Sequence, residues 1–515
     1  MVRLLDLLAL VSGLALLSSL VYWWHRPEDL FLLFLGIVAV RLLVAPVAVP
    51  ALRPRRVLVA GIAVYAVTYS FITITRHLTF RTHALDLGYY VQLTWNLARG
   101  AGPRVSLPEM HAWGDHLSPI MYLLVPAFWI APGPEVLLVA QSIALALGAL
   151  PVFGIAARRL GDERPAAAFA VLYLLNSTLH SINVRDFHSA ALAIPLLLAA
   201  IYFAEVGKPW LLAGAVLLIL ATREDATIPV IGLGLWLVIG KRRWLSGSMV
   251  ALGALALLLV DTRWIIPDFR EAPYPHLARY AHLGRSVPEI LGHVVRHPVL
   301  VLAGAITWDR LVYLTALFAP LAFLPLLAPE LVLGAVPALL QNLLGQDRVL
   351  YDYRTQYQSF VLPFLFAAAI TGYDRVARRR PGPWPKTVLV LAMLVTLGMS
   401  ARTFNSLSFE RFWPKPAQRQ SWKVMAEVPK DAVLSAQDPY IAHLSLRPLV
   451  FVFPMGVERA DHVLVYTPSY PWKENPEVTM TREGDTVTIA NRTTGAVYHY
   501  SIAAERGPSL LLRRR

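Results

Sequence analysis

Apolar stretches of bilayer-crossing length recur along this chain from its first residues to about residue 402, and they remove most alternatives for its fold. A hydrocarbon core about 30 Å thick takes about 20 helical residues, and within it every backbone N–H and C=O has to be satisfied inside the segment. The runs fall at residues 4–24, 29–50, 57–75, 135–157, 165–180, 189–206, 209–222, 226–240, 244–266, 309–327, 331–345, 359–376 and 387–402. Several are shorter than a full span. Composition points the same way: 56% of the residues are hydrophobic and only 16% are charged, where a soluble domain carries about 25%. The expectation is an all-α polytopic membrane protein of about 13 transmembrane helices, which excludes an outer-membrane barrel.

A formal charge of +14 could signal nucleic acid, but here Arg and Lys punctuate the apolar runs, as topology control requires. With a cytoplasmic N-terminus, alternation puts Arg53, Arg55 and Arg56, then Arg158, Arg159 and Arg164, then Lys241, Arg242 and Arg243, then Arg375, Arg378, Arg379 and Arg380 on one side. That side is expected to be the cytoplasm, with no nucleic-acid partner. Met1-Val2-Arg3 and the run to Trp24 resemble a signal sequence. No small-residue cleavage site follows, and Tyr22, Trp23 and Trp24 suit a membrane interface, so a retained anchor is expected. The chain has no cysteine, which excludes disulfides, Cys zinc sites and thiol catalysis.

The stretch Trp210 to Gly240 carries Arg223, Glu224 and Asp225 in its middle. Each charge at a bilayer centre costs roughly 2.5–3.5 kcal/mol on insertion scales, so two short helices meeting at the outer face are expected rather than one long span.

Three outer segments then stand out: about 76–134, about 267–308, and a tail from about Thr403 to Arg515. Alternation in Asp461–Tyr466 and Asp485–Ile489, and a turn at Thr494-Gly495 before Ala496–Tyr500, read as strands with a hairpin. The tail is expected to be a small α/β or mostly β extracytoplasmic domain.

In the first outer segment, His83 to Gly100 has helical periodicity, with Leu87, Tyr90, Val91, Thr94 and Ala98 on one face and Gly100 as a stop. Such a helix could lie on the membrane surface. Asp86 precedes its first turn, either simply as an N-cap or also as a displayed carboxylate available as base or metal ligand. Gly114-Asp115-His116-Leu117-Ser118-Pro119 follows, then an apolar, Pro-broken run Ile120–Ile130 that reads as re-entrant or interfacial. Asp115 and His116 could join Asp86 at a metal, although no metalloprotease-type spacing is present.

Further polar groups fall between the runs: Asn183, Arg185, Asp186 and His188, then Arg223, Glu224 and Asp225. Ionisable residues at membrane depth are functional candidates, set against purely structural Arg–carboxylate networks. His276, Arg279, His282 and Arg285 make a basic stripe suited to a lipid phosphate, or else a solvated face near headgroups.

These pieces together resemble a known family. An outer loop with an Asp ahead of a helix, then Asp-His-x-Ser-Pro before the next run, resembles the GT-C superfamily of membrane glycosyltransferases that use polyprenyl-phosphate sugars. More closely, the chain resembles the predicted membrane proteins grouped as domain of unknown function 2079, through Asp86-Leu87-Gly88-Tyr89, Gly114–Pro119, Phe187-His188-Ser189, Arg223-Glu224-Asp225, Leu434-Ser435-Ala436-Gln437-Asp438 and His443-Leu444-Ser445. The resemblance covers about residues 57 to 470 and implies two added N-terminal helices (1–56), a GT-C-like membrane domain (57–402) and the outer domain (403–515).

It further implies inverting transfer at the outer face of a cell membrane, with Asp86 as base. Donor-binding or acidic partners would be Asp115, His116, His188, Arg223, Glu224, Asp225, Arg354 and Tyr357. A divalent ion would be held among Asp86, Asp115, His116, Glu224 and Asp225, with Mg²⁺ or Mn²⁺ favoured by oxygen ligands. The rival readings are a transporter or flippase for a lipid-linked or small solute, against which no internal repeat is visible, and a non-catalytic protein binding a partner through its tail.

Overall fold

The computed structural model describes residues 1–22, 27–44, 52–382, 384–401, 411–469 and 476–515. Trp23 and Trp24, the ends of three expected spans and the proposed start of the tail at Thr403 lie outside these residues. The chain is mostly helical, with a C-terminal sheet.

Among the described residues, five helices are long and apolar enough to cross a membrane: Val2–Val21, Pro54–Leu78, Pro134–Leu160, Ser189–Val206 and Trp244–Arg270. Two bent pairs raise this to seven if each is one span, Glu163–Leu174 with Ser177–Val184 at 41° and Pro298–Ala305 with Trp308–Leu321 at 75°. The first break has a local cause. The Asn176 side chain accepts from the Thr178 and Leu179 amides at 3.0 and 3.2 Å, starting a new helix inside the expected run 165–180. Other runs form shorter apolar helices, among them Pro209–Leu220, Pro329–Leu344 and Trp384–Met399. The Trp210–Gly240 stretch is indeed two helices, Pro209–Leu220 and Thr227–Ile239, separated by a turn at Glu224–Ala226.

The chain divides into two compact units. The first comprises 1–72, 113–120 and 140–410. Its helices pack closely where side chains vanish: a Cβ on Gly232 would lie 1.9 Å from the Gly334 carbonyl oxygen, so Thr227–Ile239 and Pro329–Leu344 touch backbone to backbone.

The second unit joins 73–112 and 121–139 to the tail residues 411–515. Here β1 (Arg104–Ser106) and β2 (Glu109–His111) form a hairpin. The tail carries β3 (Leu434–Ala436), β4 (Val450–Val452), β5 (His462–Tyr466), β6 (Val478–Glu483), β7 (Thr486–Asn491), β8 (Val497–Arg506) and β9 (Ser509–Arg514). They form one mixed sheet in the order β4-β3-β5-β9-β8-β7-β6, parallel among the first three and antiparallel beyond. The expected turn at Thr494-Gly495 joins β7 to β8, with Gly495 at φ +72°. One apolar core of this unit combines Ala84 and Leu107 with Leu434, Tyr440, Ile441 and Leu511.

The expected helix from His83 to Gly100 is a π-helical turn, Ala84–Gly88, running into an α-helix, Tyr89–Ala98. Asp86 therefore lies inside the first turn, not ahead of it as an N-cap; His83 occupies the cap position. The helix is also not a one-sided surface element, because eight of its ten residues are buried. The packing reason lies in the tail. Asp438 accepts from the Ala84 amide at 2.7 Å and bonds His83 Nδ1 at 2.8 Å, while a Cβ on Gly88 would meet Ile441 and Ser445 at 3.1 Å.

Candidate functional site

In the first unit, four segments converge on Glu224 and a cavity beside it. Arg223 and Glu224 sit where two short helices break, in a backbone too charged to continue through lipid. Glu224 is 1% exposed and saturated with donors. It bonds His116 Nδ1 at 3.0 Å and accepts from Tyr274 Oη at 2.8 Å and from the Leu117 amide at 3.2 Å. The loop bearing His116 approaches the helix at Arg270 because residue 114 is glycine; a Cβ there would lie 3.0 Å from the Arg270 Cα.

His116 stacks on His276, ring centroids 4.5 Å apart and nearly parallel, and His276 Nε2 lies 3.6 Å from Asp115 Oδ1. Pro273 and Pro275 limit regular helix around Tyr274, and a 3-10 turn follows at Pro275–Tyr280. Residues three apart eclipse in such a turn, so His276 and Arg279 point the same way.

On another side, Arg223 makes a two-pronged pair with Asp225 at 2.6 and 2.5 Å, and Gln341 donates to the same carboxylate at 3.1 Å. The Tyr357 ring lies beneath both Arg223 and Arg279, 5.4 and 5.3 Å from the guanidinium carbons, and its hydroxyl accepts from Arg279 at 2.8 Å. These groups form the polar end of a cavity of about 460 Å³. Elsewhere its walls are apolar, including Ile231, Leu235, Leu255, Val294 and Leu340.

Burial alone would raise the Glu224 carboxyl, but His116, through its charge and its hydrogen bond, and then the Arg223 charge hold it well below the usual carboxylate range. Burial opposes charge on His116 as well, yet Glu224 and Asp115 keep it above the ordinary imidazole value. His276 is pushed down by burial and then by the His116 charge.

The sequence candidates divide by this geometry. Asp115, His116, Arg223, Glu224, Asp225 and Tyr357 come together in the first unit. Arg354 does not line the cavity; it pairs with Asp352 at 3.0 Å on a half-exposed stretch, because that carboxylate is two residues away. His188 is buried and its backbone amide donates to Gln141 at 2.8 Å. Asp86 belongs to the second unit.

Among the acidic metal candidates, Glu224 is engaged with His116 and Asp225 with Arg223 and Gln341. Among the described residues, Asp115, His116 and His276 form a three-ligand group whose atoms lie within 4.8 Å of one another. Tyr274, Gln341 and Asp261 were not singled out by sequence. Asp261 opens a π-helical turn, Asp261–Ile265, and its Oδ1 is buried without a hydrogen-bond partner. The prolines flanking Tyr274 were the available signal for the turn that aims His276 and Arg279 inward.

The fold has solved counterparts. ArnT from Cupriavidus metallidurans, a GT-C glycosyltransferase, bound to undecaprenyl phosphate is similar over 88% of this chain and 97% of its own, with TM-score 0.52 and 14% identity. The same protein in the apo state gives TM-score 0.50 and 14% identity, over 88% and 98% of the two chains. At that identity the likeness is one of fold. No curated protein matches the sequence. The sequence profile of the family described as "Predicted membrane protein (DUF2079)" matches residues 76–506, most of the chain, and the protein belongs to that family.

Proposed function

We propose that this is a multi-pass cell-membrane glycosyltransferase that takes a sugar from a polyprenyl-phosphate carrier. The observation that carries the reading is the two-part cavity. Arg223, Arg279 and Tyr357 stand at one end and an aliphatic wall makes up most of the rest, matching an anionic headgroup with a long apolar tail. The undecaprenyl phosphate named with ArnT is such a molecule.

In the reaction, an acceptor hydroxyl oxygen attacks the anomeric carbon from the face opposite the phosphate, and the bond from that carbon to the phosphate oxygen breaks. The electron pair leaves on the polyprenyl phosphate, where Arg279 and Arg223 stabilise it. Asp86 takes the hydroxyl proton, and the product inverts. His116 and Glu224 form the polar wall of the donor site; His188 and Arg354 have outer supporting roles.

The organisation that goes with this chemistry is two leading helices (1–56), a GT-C-like membrane part (57–402) and an extracytoplasmic tail (403–515), with the N-terminus cytoplasmic. The shorter apolar helices complete about 13 crossings in this reading.

Native mass spectrometry of the gently purified full-length protein tests the donor. Co-purified polyprenyl phosphate, or its glycosylated form, is expected, and it should be depleted in Arg279→Gln. Bulk phospholipid alone, unchanged by that substitution, would count against the donor. Asp86→Asn should abolish transfer in folded, membrane-inserted protein, and retained transfer would remove Asp86 from the role.

A further inference from the structure

We infer that Asp115, His116 and His276 form a site for one divalent transition-metal ion of the zinc class, with Glu224 as the outer partner that orients His116. Two imidazoles and a single carboxylate are a borderline-soft donor set, which suits zinc or cobalt(II) better than the Mg²⁺ or Mn²⁺ expected from an all-oxygen set.

The geometry is close to assembled. Ligands of a tetrahedral ion with bonds of about 2.1 Å sit roughly 3.4 Å apart. His276 Nε2 and Asp115 Oδ1 are already 3.6 Å apart, and the three ligand atoms lie within 4.8 Å of one another. His276 Nε2 is buried and has no hydrogen-bond partner, although buried imidazole nitrogens are normally satisfied. Glu224 holds His116 Nδ1 at 3.0 Å, leaving Nε2 for coordination; a carboxylate–histidine pair of this kind fixes ring orientation at metal sites.

The site borders the cavity, since His116 and His276 line it beside Arg223 and Arg279. An ion there would keep a fourth coordination position beyond its three protein ligands and add positive charge where an anionic group would enter. The metal site stands on its own residues, independently of the transfer reading.

The test uses full-length protein in detergent, stripped with a chelator, loaded with zinc or cobalt(II) and desalted. Metal analysis should find one equivalent, and cobalt(II) should show the intense visible bands of low-symmetry coordination. His276→Ala should lose both. Glu224→Gln should bind roughly 10–100-fold more weakly. Because the chain has no cysteine, His276→Cys adds a decisive signature: a near-ultraviolet thiolate-to-cobalt band that no other residue could supply. Wild-type protein that retains no metal, or His276→Cys protein that is folded by tryptophan fluorescence yet lacks that band, would overturn the assignment. Metal binding without lipid binding would sink the donor reading alone.

Discussion

Arg223 shows how much depends on single charged groups in this molecule. Its guanidinium is 3% exposed, paired with Asp225 and stacked near Tyr357 and Phe360. Removing one partner of such a buried pair strands the other charge, so Arg223→Gln should lower stability by about 3 kcal/mol, read as a drop in detergent unfolding temperature. Arg279 is different. It is partly exposed, donates to the Tyr357 hydroxyl at 2.8 Å and pairs with Asp347 at 3.6 Å, a half-exposed ion pair of the kind that contributes little to stability and can yield to a ligand anion. Arg279→Gln should leave the unfolding temperature nearly unchanged while weakening polyprenyl-phosphate binding by roughly tenfold or more, the scale of one charge-assisted hydrogen bond. Equal losses of stability in both variants would contradict this difference in how far each arginine is committed to the fold.

At the scale of elements, glycine and the tail helix set the geometry. Gly232 lies against the Gly334 carbonyl with no room for a methyl group, so Gly232→Ala forces two helices apart. A loss of about 1–3 kcal/mol is expected, the usual cost of overpacking, and thermal unfolding in detergent would measure it. The tail helix Asp438–Leu444 buttresses the π-helical turn that carries Asp86, through Asp438 at its start and Ile441 in its middle. Asp438→Ala should therefore reduce transfer with little change in donor affinity, since it disturbs the positioning of Asp86 and not the lipid cavity. His443 in the same helix stacks on His77 at 3.8 Å and packs on Trp422, and burial, reinforced by His77, pushes its pKa well down. Its folded value lies below the ordinary value of about 6.5, so its contribution to stability is full above that pH and is lost as pH falls below it. His443→Gln should flatten that acid-side loss in a pH series of unfolding temperatures. An unchanged series would place the sensitive group elsewhere.

For the whole molecule, the division into units has a consequence for dissection. The tail sheet shares a core with Ala84 and Leu107 from the segment 73–112. The isolated piece 411–515 would therefore expose Leu434, Ile441 and their neighbours and should exchange amide hydrogens rapidly across β3 and β4, whereas the full chain protects them. Full protection in the isolated piece would show that the tail folds alone.

Much of this was legible in the chain itself. Repeated apolar runs bounded by arginines dictate helices in lipid, because a bilayer leaves backbone groups no other solution. The same local logic located the break at Arg223–Asp225, the helix stop at Gly100, which follows the last helical residue Ala98 by two, and the β7–β8 hairpin, all of which depend on neighbours within a few residues. What the local pattern could not decide is which distant groups meet. Asn176 ends a run that hydropathy reads as continuous, since a single side chain capturing two amides outweighs the apolar average around it. Asp86 falls inside a turn because Asp438, over three hundred residues away, takes the amide that a cap would have held. The pairing of His116 with Glu224, of Glu224 with Tyr274 and of His116 with His276 joins segments whose spacing in sequence carries no periodicity. The chain by itself determined that charges must leave the lipid and where helices could run. Only the tertiary structure decided which of those charges face one another, because desolvation obliges every buried charge to find a partner and packing alone selects it.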